Sequence, residues 1–336
     1  MLRTKAIKKI FMTTLSMFII LCTFTLTSFM NNNVLKTNLE IEEISGIVTD
    51  DIYLLSKNNY LVKKKILIDS DDIAFKIKKA LSEMVNSSNN KYSNELIGPI
   101  PEGTNIIDVI VGEDIITVNF SKELLNVNIN HEKHMISAIV YTVINIGNVK
   151  GVSILVEGNF LDKYPNTGES LNKVLDKNID INREFRVVSR DDISKVVVYY
   201  LDDIDDNLYY VPVTKYLNDS RDKIEIIVEE LSSSYIYEDN LMSFLNNKVK
   251  LLEHSIENDV FFLNFYEYLF DSNDIVLDEV LYCISYSVFD NYDVSMVMFQ
   301  VNGKEVNHVF RTDIYYKLKK VLEMQVLLLY NLIYQL

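Results

Sequence analysis

The chain has 336 residues, of which 48% are apolar, and its formal net charge is −15. This length suffices for two domains of ordinary size, each with its own apolar core. The acidic balance argues against a protein that binds nucleic acid or anionic membrane surfaces through charge, because both would repel it.

The N-terminal segment predicts a membrane anchor. Residues 1–9 form a basic tip without acids, and residues 10–30 are an uncharged apolar run about as long as a membrane-spanning helix. The basic flank predicts a cytoplasmic tip, a single-pass anchor in the cell membrane and an extracytoplasmic body. A cleaved signal peptide and a lipoprotein modified at Cys22 are alternatives, although the run lacks a good cleavage site and continues past Cys22.

A polar, acidic tether at 31–46 leads into a first unit at 47–162. The pattern predicts two strands at 52–56 and 60–68, which flank a polar turn and form a hairpin. A helix then begins after Asp71 and Asp72, where acids suit the helix dipole. Further along, a strand pair, a second amphipathic helix and a last strand are predicted at 106–111, 115–120, 132–146 and 152–156.

A linker at 163–192, which could carry a short helix at 170–175, leads to a second unit at 193–306 that repeats the first. Shifting 106–158 by 145 positions places it on 251–303 without a gap, and twelve of the 53 paired positions are identical. Tyr141 falls on Tyr286 and Gly158 on Gly303. A repeat this long indicates two copies of one globular unit. The final segment, 307–336, is predicted to be a helical tail with apolar stretches too short to span a membrane.

The predicted fold is α+β, with two tandem αββαβ units that are each preceded by a β-hairpin. In each unit, two helices would cover one face of a small mixed sheet. The first helix of the first unit would bury one face, which consists of Ile73, Ile77, Ala80, Leu81 and Met84. The second would bury Met135, Ala138, Ile139, Thr142 and Val143.

Three groups of residues invite a chemical interpretation. His131 and His134 lie three apart on a helix, but zinc proteases use a spacing of four, and no third ligand is apparent. The acidic segment 202–207 lacks the Gly and distal Glu of a calcium loop, so a solvated hairpin turn is expected. Cys283 has no partner and is expected to be a small buried residue.

We therefore expect no catalytic, cofactor or metal site. The 21 tyrosines leave open sugar stacking on a cell-wall glycan, but many fall in predicted strands or helices, where packing is the simpler role.

The loop before the strand pair of the first unit has the specific sequence Leu96-Ile-Gly-Pro-Ile-Pro-Glu-Gly-Thr104. The second copy lacks this Gly-Pro sequence and has Leu245-Asn-Asn-Lys248 in the same loop. Further distinctive stretches are Asp51–Leu55, Tyr60–Val62, Ile115–Leu124, Val149–Val152, Tyr199–Leu201, Tyr209–Thr214 and Leu263–Phe265. Together, over roughly 47–305, these stretches resemble the GerMN domain, the repeated unit of GerM-type sporulation and spore-germination proteins.

The resemblance implies a fold like the ring-building motif of secretion-system and sporulation-channel proteins. It further implies a non-enzymatic, membrane-anchored module that docks onto similar proteins outside the cytoplasmic membrane, with homo-oligomers possible. A cell-wall protein that binds or remodels peptidoglycan is the alternative.

Overall fold

The computed structural model describes residues 49–311 apart from 88–91, 93–94, 234–240, 267–268 and 270–275. Within these ranges no helix is long and apolar enough to cross a membrane. The predicted anchor at 10–30, the tether at 31–46 and the tail beyond residue 311 lie outside them.

Apart from β3, the two repeats contain equivalent elements in the same order. The first consists of β1 (Thr49–Ser56), β2 (Leu61–Leu67), α1 (Ile73–Glu83), β3 (Leu96–Ile97), β4 (Ile106–Val111), β5 (Ile115–Phe120), α2 (Glu132–Gly147), β6 (Gly151–Val156) and β7 (Asn159–Phe160). After the linker strand β8 (Glu184–Arg186), the second consists of β9 (Ile193–Ile204), β10 (Asn207–Asn218), α3 (Lys223–Ser232), β11 (Leu251–Glu257), β12 (Val260–Phe265), α4 (Asp278–Asn291), β13 (Met296–Val301) and β14 (Lys304–Phe310).

Each repeat forms a four-stranded mixed sheet, which confirms the predicted α+β class. The strand orders are β4-β5-β6-β7 and β11-β12-β13-β14, and the two inner strands of each sheet run parallel. The closing strands β7 and β14 were not predicted, and β14 continues past the expected end of the second unit at 306. The repeated Gly158 and Gly303 each follow a residue that also has a positive φ, the geometry of a tight hairpin turn.

The two predicted hairpins do not stay within their own repeats. Tyr210 of β10 pairs with Lys63 of β2, so both hairpins join one central sheet of six strands. The linker contributes to the same sheet, because β8 runs parallel to β10 and pairs with it at 215–217. It forms no helix at 170–175. The repeats are therefore fused through backbone hydrogen bonds instead of being separate units on a flexible connection.

The acidic turn at 202–207 is shorter than predicted. β9 and β10 pair over twelve residues each, and only Asp205 and Asp206 remain as the turn. Both have positive φ, which Asp tolerates better than most residues. Asp202 is buried inside β9, where Asn58 of the first hairpin turn donates to its carboxylate at 3.4 Å.

The long helices lie between the central sheet and the four-stranded sheets. α2 packs against β1 on one side and against β5 and β6 on the other. All residues from Met135 to Ile144 are consequently buried, well beyond the single face predicted from periodicity. Helix α1 begins at Ile73 as expected, since Asp72 accepts a hydrogen bond from the amide of Ala74 at 2.9 Å. Ile73 itself is exposed, against the prediction.

Candidate functional site

Equivalent aromatic pairs meet where the repeats join. Tyr141 of α2 packs edge-on against Tyr53 of β1, with ring centroids 5.7 Å apart. The counterpart pair in the second repeat, Tyr286 and Tyr199, has centroids 5.4 Å apart. All four side chains are buried. The recurrence of Tyr141 and Tyr286 thus reflects packing, as the repeat indicated.

The hydroxyl groups of these pairs meet different partners at one repeated position. In the first repeat, the Asn145 amide donates to the Tyr53 hydroxyl at 3.2 Å. The equivalent residue 145 positions later is Asp290, which accepts a hydrogen bond from the Tyr199 hydroxyl at 2.7 Å. The second repeat therefore carries a buried negative charge where the first has a neutral amide.

Lys177 of the linker neutralises that charge. Its ammonium lies 2.7 Å from an Asp290 carboxylate oxygen, and the Asp290 side chain is almost fully buried. Burial alone would raise the pKa of Asp290, but attraction to Lys177 and its hydrogen bond, helped by that from Tyr199, outweighs burial and lowers the pKa. The carboxylate is thus held ionised within the junction.

A second, largely buried ion pair lies within the first hairpin and contacts the second repeat. The Lys63 ammonium lies 2.9 Å from a carboxylate oxygen of Asp51 and 3.8 Å from the ring centroid of Tyr286. Burial would lower the pKa of Lys63, but the charge of Asp51 outweighs it and the pKa is raised. Lys63 therefore stays charged, and its cation–π contact ties the first hairpin to helix α4.

The Asn182 side chain bridges strands β2 and β10 of the central sheet. Its carbonyl oxygen accepts from the Leu61 amide at 2.8 Å, and its amide donates to the carbonyl oxygens of Leu61 at 2.8 Å and Pro212 at 2.7 Å. One buried linker side chain thus binds backbone of β2 and β10 together. The amide of its neighbour Ile181 donates to the Thr214 hydroxyl oxygen at 3.0 Å, and the Ile181 carbonyl oxygen accepts from the Thr214 amide at 2.9 Å.

A cleft of about 610 Å³ lies between the repeats, and its lining includes both ion pairs and Asn145. At its wall, Asp50 contacts the Lys76 ammonium at 2.6 Å through one carboxylate oxygen, while the other oxygen is buried without a hydrogen-bond partner. Burial raises the pKa of Asp50. The ionic groups named here face partners of opposite sign, so the cleft is a polar structural junction. Within the described part of the chain, no three His, Cys, Asp or Glu side chains are grouped so as to hold a metal ion.

The two histidines singled out from the sequence lie at the start of α2. His131 precedes the first helical residue, and its ring centroid lies 6.2 Å from that of His134. Burial lowers the pKa of His134. Between them, the buried Glu132 accepts from the linker amides of Asn166 at 2.7 Å and Thr167 at 3.2 Å. This helix terminus therefore anchors the linker through Glu132.

Cys283 is buried on α4, and burial raises the pKa of its thiol, as expected for an inert packing residue. Sequence reasoning missed Lys63, Lys177 and Asn182, which gave no local signal. Alignment of the two repeats places Asn145 on Asp290. This difference was the one sequence signal that could have revealed a charge present in only the second repeat.

The sequence of this chain is similar to a known protein family and to one of its characterised members. The sequence pattern of the family described as "Germane: Sporulation and spore germination" matches residues 51–162 and 197–307. The spore germination protein GerM of Bacillus subtilis (strain 168) is 26% identical over 274 residues, which cover 78% of this chain and 74% of that protein.

A solved structure is similar over both repeats. The tandem GerMN domains of the sporulation protein GerM from Bacillus subtilis match 76% of this chain and 92% of that chain, with a TM-score of 0.68 and 26% identity. With its two matched segments together covering more than half of its length, the chain belongs to the Germane family of sporulation and spore germination proteins.

Proposed function

We propose that this chain is a membrane-anchored, non-enzymatic module that helps assemble a protein complex outside the cytoplasmic membrane during sporulation or germination. Its partners would be other proteins with ring-building-type folds. Family membership supports the sporulation-related role. The basic N-terminal tip and the apolar run at 10–30 support the anchor.

The central sheet shared by both repeats is the observation that carries this proposal. Buried charged side chains that could have served catalysis make structural contacts instead. Lys177 pairs with Asp290 and so ties the linker to helix α4, while Lys63 pairs with Asp51 and contacts the Tyr286 ring of the other repeat. Two fused repeats present two equivalent surfaces at a fixed spacing. Such an arrangement gains avidity for a partner that itself repeats, without any new contact.

Cross-linking in sporulating cells tests the assembly role. We expect the tagged full-length chain to cross-link to extracytoplasmic proteins that mass spectrometry identifies as carrying related modules. The Tyr141→Asp variant serves as an unfolded control, since that side chain is buried at the junction. If the wild-type chain captures no more protein than the control, the assembly role is wrong.

The alternative, a protein that binds or remodels peptidoglycan, is tested on the same preparation. The full-length chain is incubated with purified cell wall, and both released fragments and sedimented protein are measured. Wall cleavage, or saturable wall binding that the unfolded control lacks, would replace the assembly proposal with this alternative.

The proposed location predicts a specific labelling pattern. Val188 is 94% exposed, whereas Cys283 is buried. In protoplasts, we expect a membrane-impermeant maleimide to label Val188→Cys from outside. The parent chain should stay unlabelled, because its other cysteine, Cys22, falls in the apolar run proposed as the anchor. Labelling that appears only after lysis would show that the body lies in the cytoplasm.

A further inference from the structure

The two repeats expose apolar side chains at the same places on equivalent edge strands. Ile107 and Val111 of β4 are 45% and 43% exposed, and their counterparts Leu252 and Ile256 of β11 are both 51% exposed. Each pair is separated by the 145 positions that relate the repeats. Residues that recur while remaining exposed do not serve the core, so their recurrence points to a contact made by both repeats.

Both strands lie at the end of their sheets. Among the described residues, β4 pairs only with β5 and β11 only with β12. The outer backbone edge of each strand therefore offers amide and carbonyl groups to an incoming strand. Each strand also has a register irregularity near its start, between Ile106 and Asp108 and between Leu251 and Glu253, so the edges correspond in shape as well.

The charged side chains on the two strands themselves are acidic, with Asp108 on β4 and Glu253 and Glu257 on β11, and neither strand carries a lysine or arginine. Cations lie beyond the strand ends, where Lys150 pairs with Asp114 at 3.1 Å and Lys248 and Lys250 precede β11. A second copy of this acidic chain would bring like charges together, which is unfavourable for cross-strand neighbours. Basic side chains would be favoured instead, provided that apolar residues alternate with them to cover the exposed Ile, Val and Leu side chains.

We infer that the outer edges of β4 and β11 each accept a β-strand of a partner protein whose side chains alternate between apolar and basic residues. This inference rests on the proposed assembly function and names the surface and the partner chemistry for it. Because both repeats have such an edge, one chain would bind two strands.

Hydrogen exchange with defined peptides tests the inference. The full-length chain is mixed with capped octapeptides of alternating Lys and Val, or of alternating Glu and Val as the charge control. We expect the Lys-Val peptide to slow amide exchange in 106–111 and 251–257, and the effect to weaken in high salt. Equal protection by both peptides, or none by either, would overturn the inference.

Matched variants locate the site. Ile107→Lys with Val111→Lys changes β4, and Leu252→Lys with Ile256→Lys changes β11. Leu67→Lys with Val188→Lys adds the same charge at exposed apolar positions elsewhere. We expect each edge variant to weaken peptide binding at its own strand about tenfold, equivalent to roughly 1.4 kcal/mol, and the control to leave it unchanged. A control variant that loses as much binding would contradict the inference.

Other occupants give different results. Dimers of the wild-type chain that the edge variants abolish would assign the edges to a second copy. Exchange protection that disappears on deletion of 312–336 would assign them to the chain's own tail. Edge variants and control variants that recover the same cross-linked partners would refute the edges as the binding site. That result would still be consistent with the assembly function.

Discussion

At the scale of single residues, the junction shows how one charge distinguishes two similar repeats. Asn145 and Asp290 occupy the same place in the repeat and bond to equivalent tyrosines, yet only Asp290 requires a cation. Lys177 comes from the linker, which has no counterpart in the duplicated part of the sequence. Because the carboxylate of Asp290 is neutralised by a linker residue, the linker is part of the folded structure.

Removing Lys177 should destabilise the protein in a pH-dependent way. We expect Lys177→Met to lose about 2 kcal/mol at neutral pH, less than a fully buried pair because a third of Lys177 is exposed. The pKa of Asp290 lies below its usual value of 3.8, so its contribution is present above that pH and disappears as the pH falls through the folded-state pKa. Urea unfolding across this range should show the variant's deficit shrinking in acid.

The first repeat supplies the control for this pair. Asp290→Asn reproduces the neutral residue found at Asn145, so adding it to Lys177→Met should restore most of the lost stability. If the double variant is as unstable as Lys177→Met alone, the deficit does not come from an unpaired carboxylate.

Gly98 illustrates a second requirement at a single position. A Cβ atom there would lie 2.3 Å from the Met84 carbonyl oxygen and 2.7 Å from the Asn86 nitrogen. That backbone is held in place, because the Asn86 amide donates to the Ile100 carbonyl oxygen at 2.7 Å. The Gly-Pro sequence thus permits two segments to cross in the first repeat.

We expect Gly98→Ala to lower the free energy of unfolding by about 2–3 kcal/mol, because the crossing segments must separate. Gly168→Ala is the comparison, since Gly168 has a positive φ and open space where a Cβ atom would lie. That variant should lose only about 1 kcal/mol through backbone strain. Thermal melts that rank the two variants in the opposite order would show that the crossing tolerates a side chain.

At the scale of elements, the central sheet depends on a side chain that substitutes for strand pairing. β2 and β8 both lie along β10, and Asn182 fills the gap between them. Its φ of 46° places it in the left-handed region, which Asn adopts more readily than most residues. Linker, first hairpin and second hairpin therefore meet at one amide group.

Asn182→Gly should lower stability by about 2–3 kcal/mol, because buried backbone groups of Leu61 and Pro212 lose their partners. Glycine keeps the positive φ without strain, so the loss measures the amide contacts. Asn182→Asp retains only the acceptor for the Leu61 amide and should not restore stability. Chemical unfolding of both variants measures these losses. An Asn182→Gly variant as stable as the wild-type chain would contradict the structural role of the amide.

At the scale of the whole molecule, the shared sheet makes the two repeats one cooperative structure. We expect calorimetry of the full-length chain to show a single unfolding transition for the two repeats, because neither hairpin completes the central sheet alone. Tyr141→Asp and Tyr286→Asp, one in each repeat, should each lower that same transition by about 3 kcal/mol or more. Two separate transitions, with each variant affecting only one, would show that the repeats fold independently.

The sequence alone determined the repeat, the order and type of the main elements, and the apolar residues of the helices. These properties follow from local periodicity and from comparison of one half of the chain with the other. Helix α2 and the strand pair β4–β5 were predicted within a residue of their observed ends. The extent of burial was not, because it depends on what packs against each face.

Only the tertiary structure decided how the two repeats are joined. The pairing of Lys63 with Tyr210, the amide bridge of Asn182 and the ion pair of Lys177 with Asp290 connect residues far apart in the chain. Backbone hydrogen bonds between strands are available to any sequence, so no local pattern specifies which hairpins will meet. The physical cause is long-range: two hairpins with free edges satisfy their backbone groups by pairing with each other.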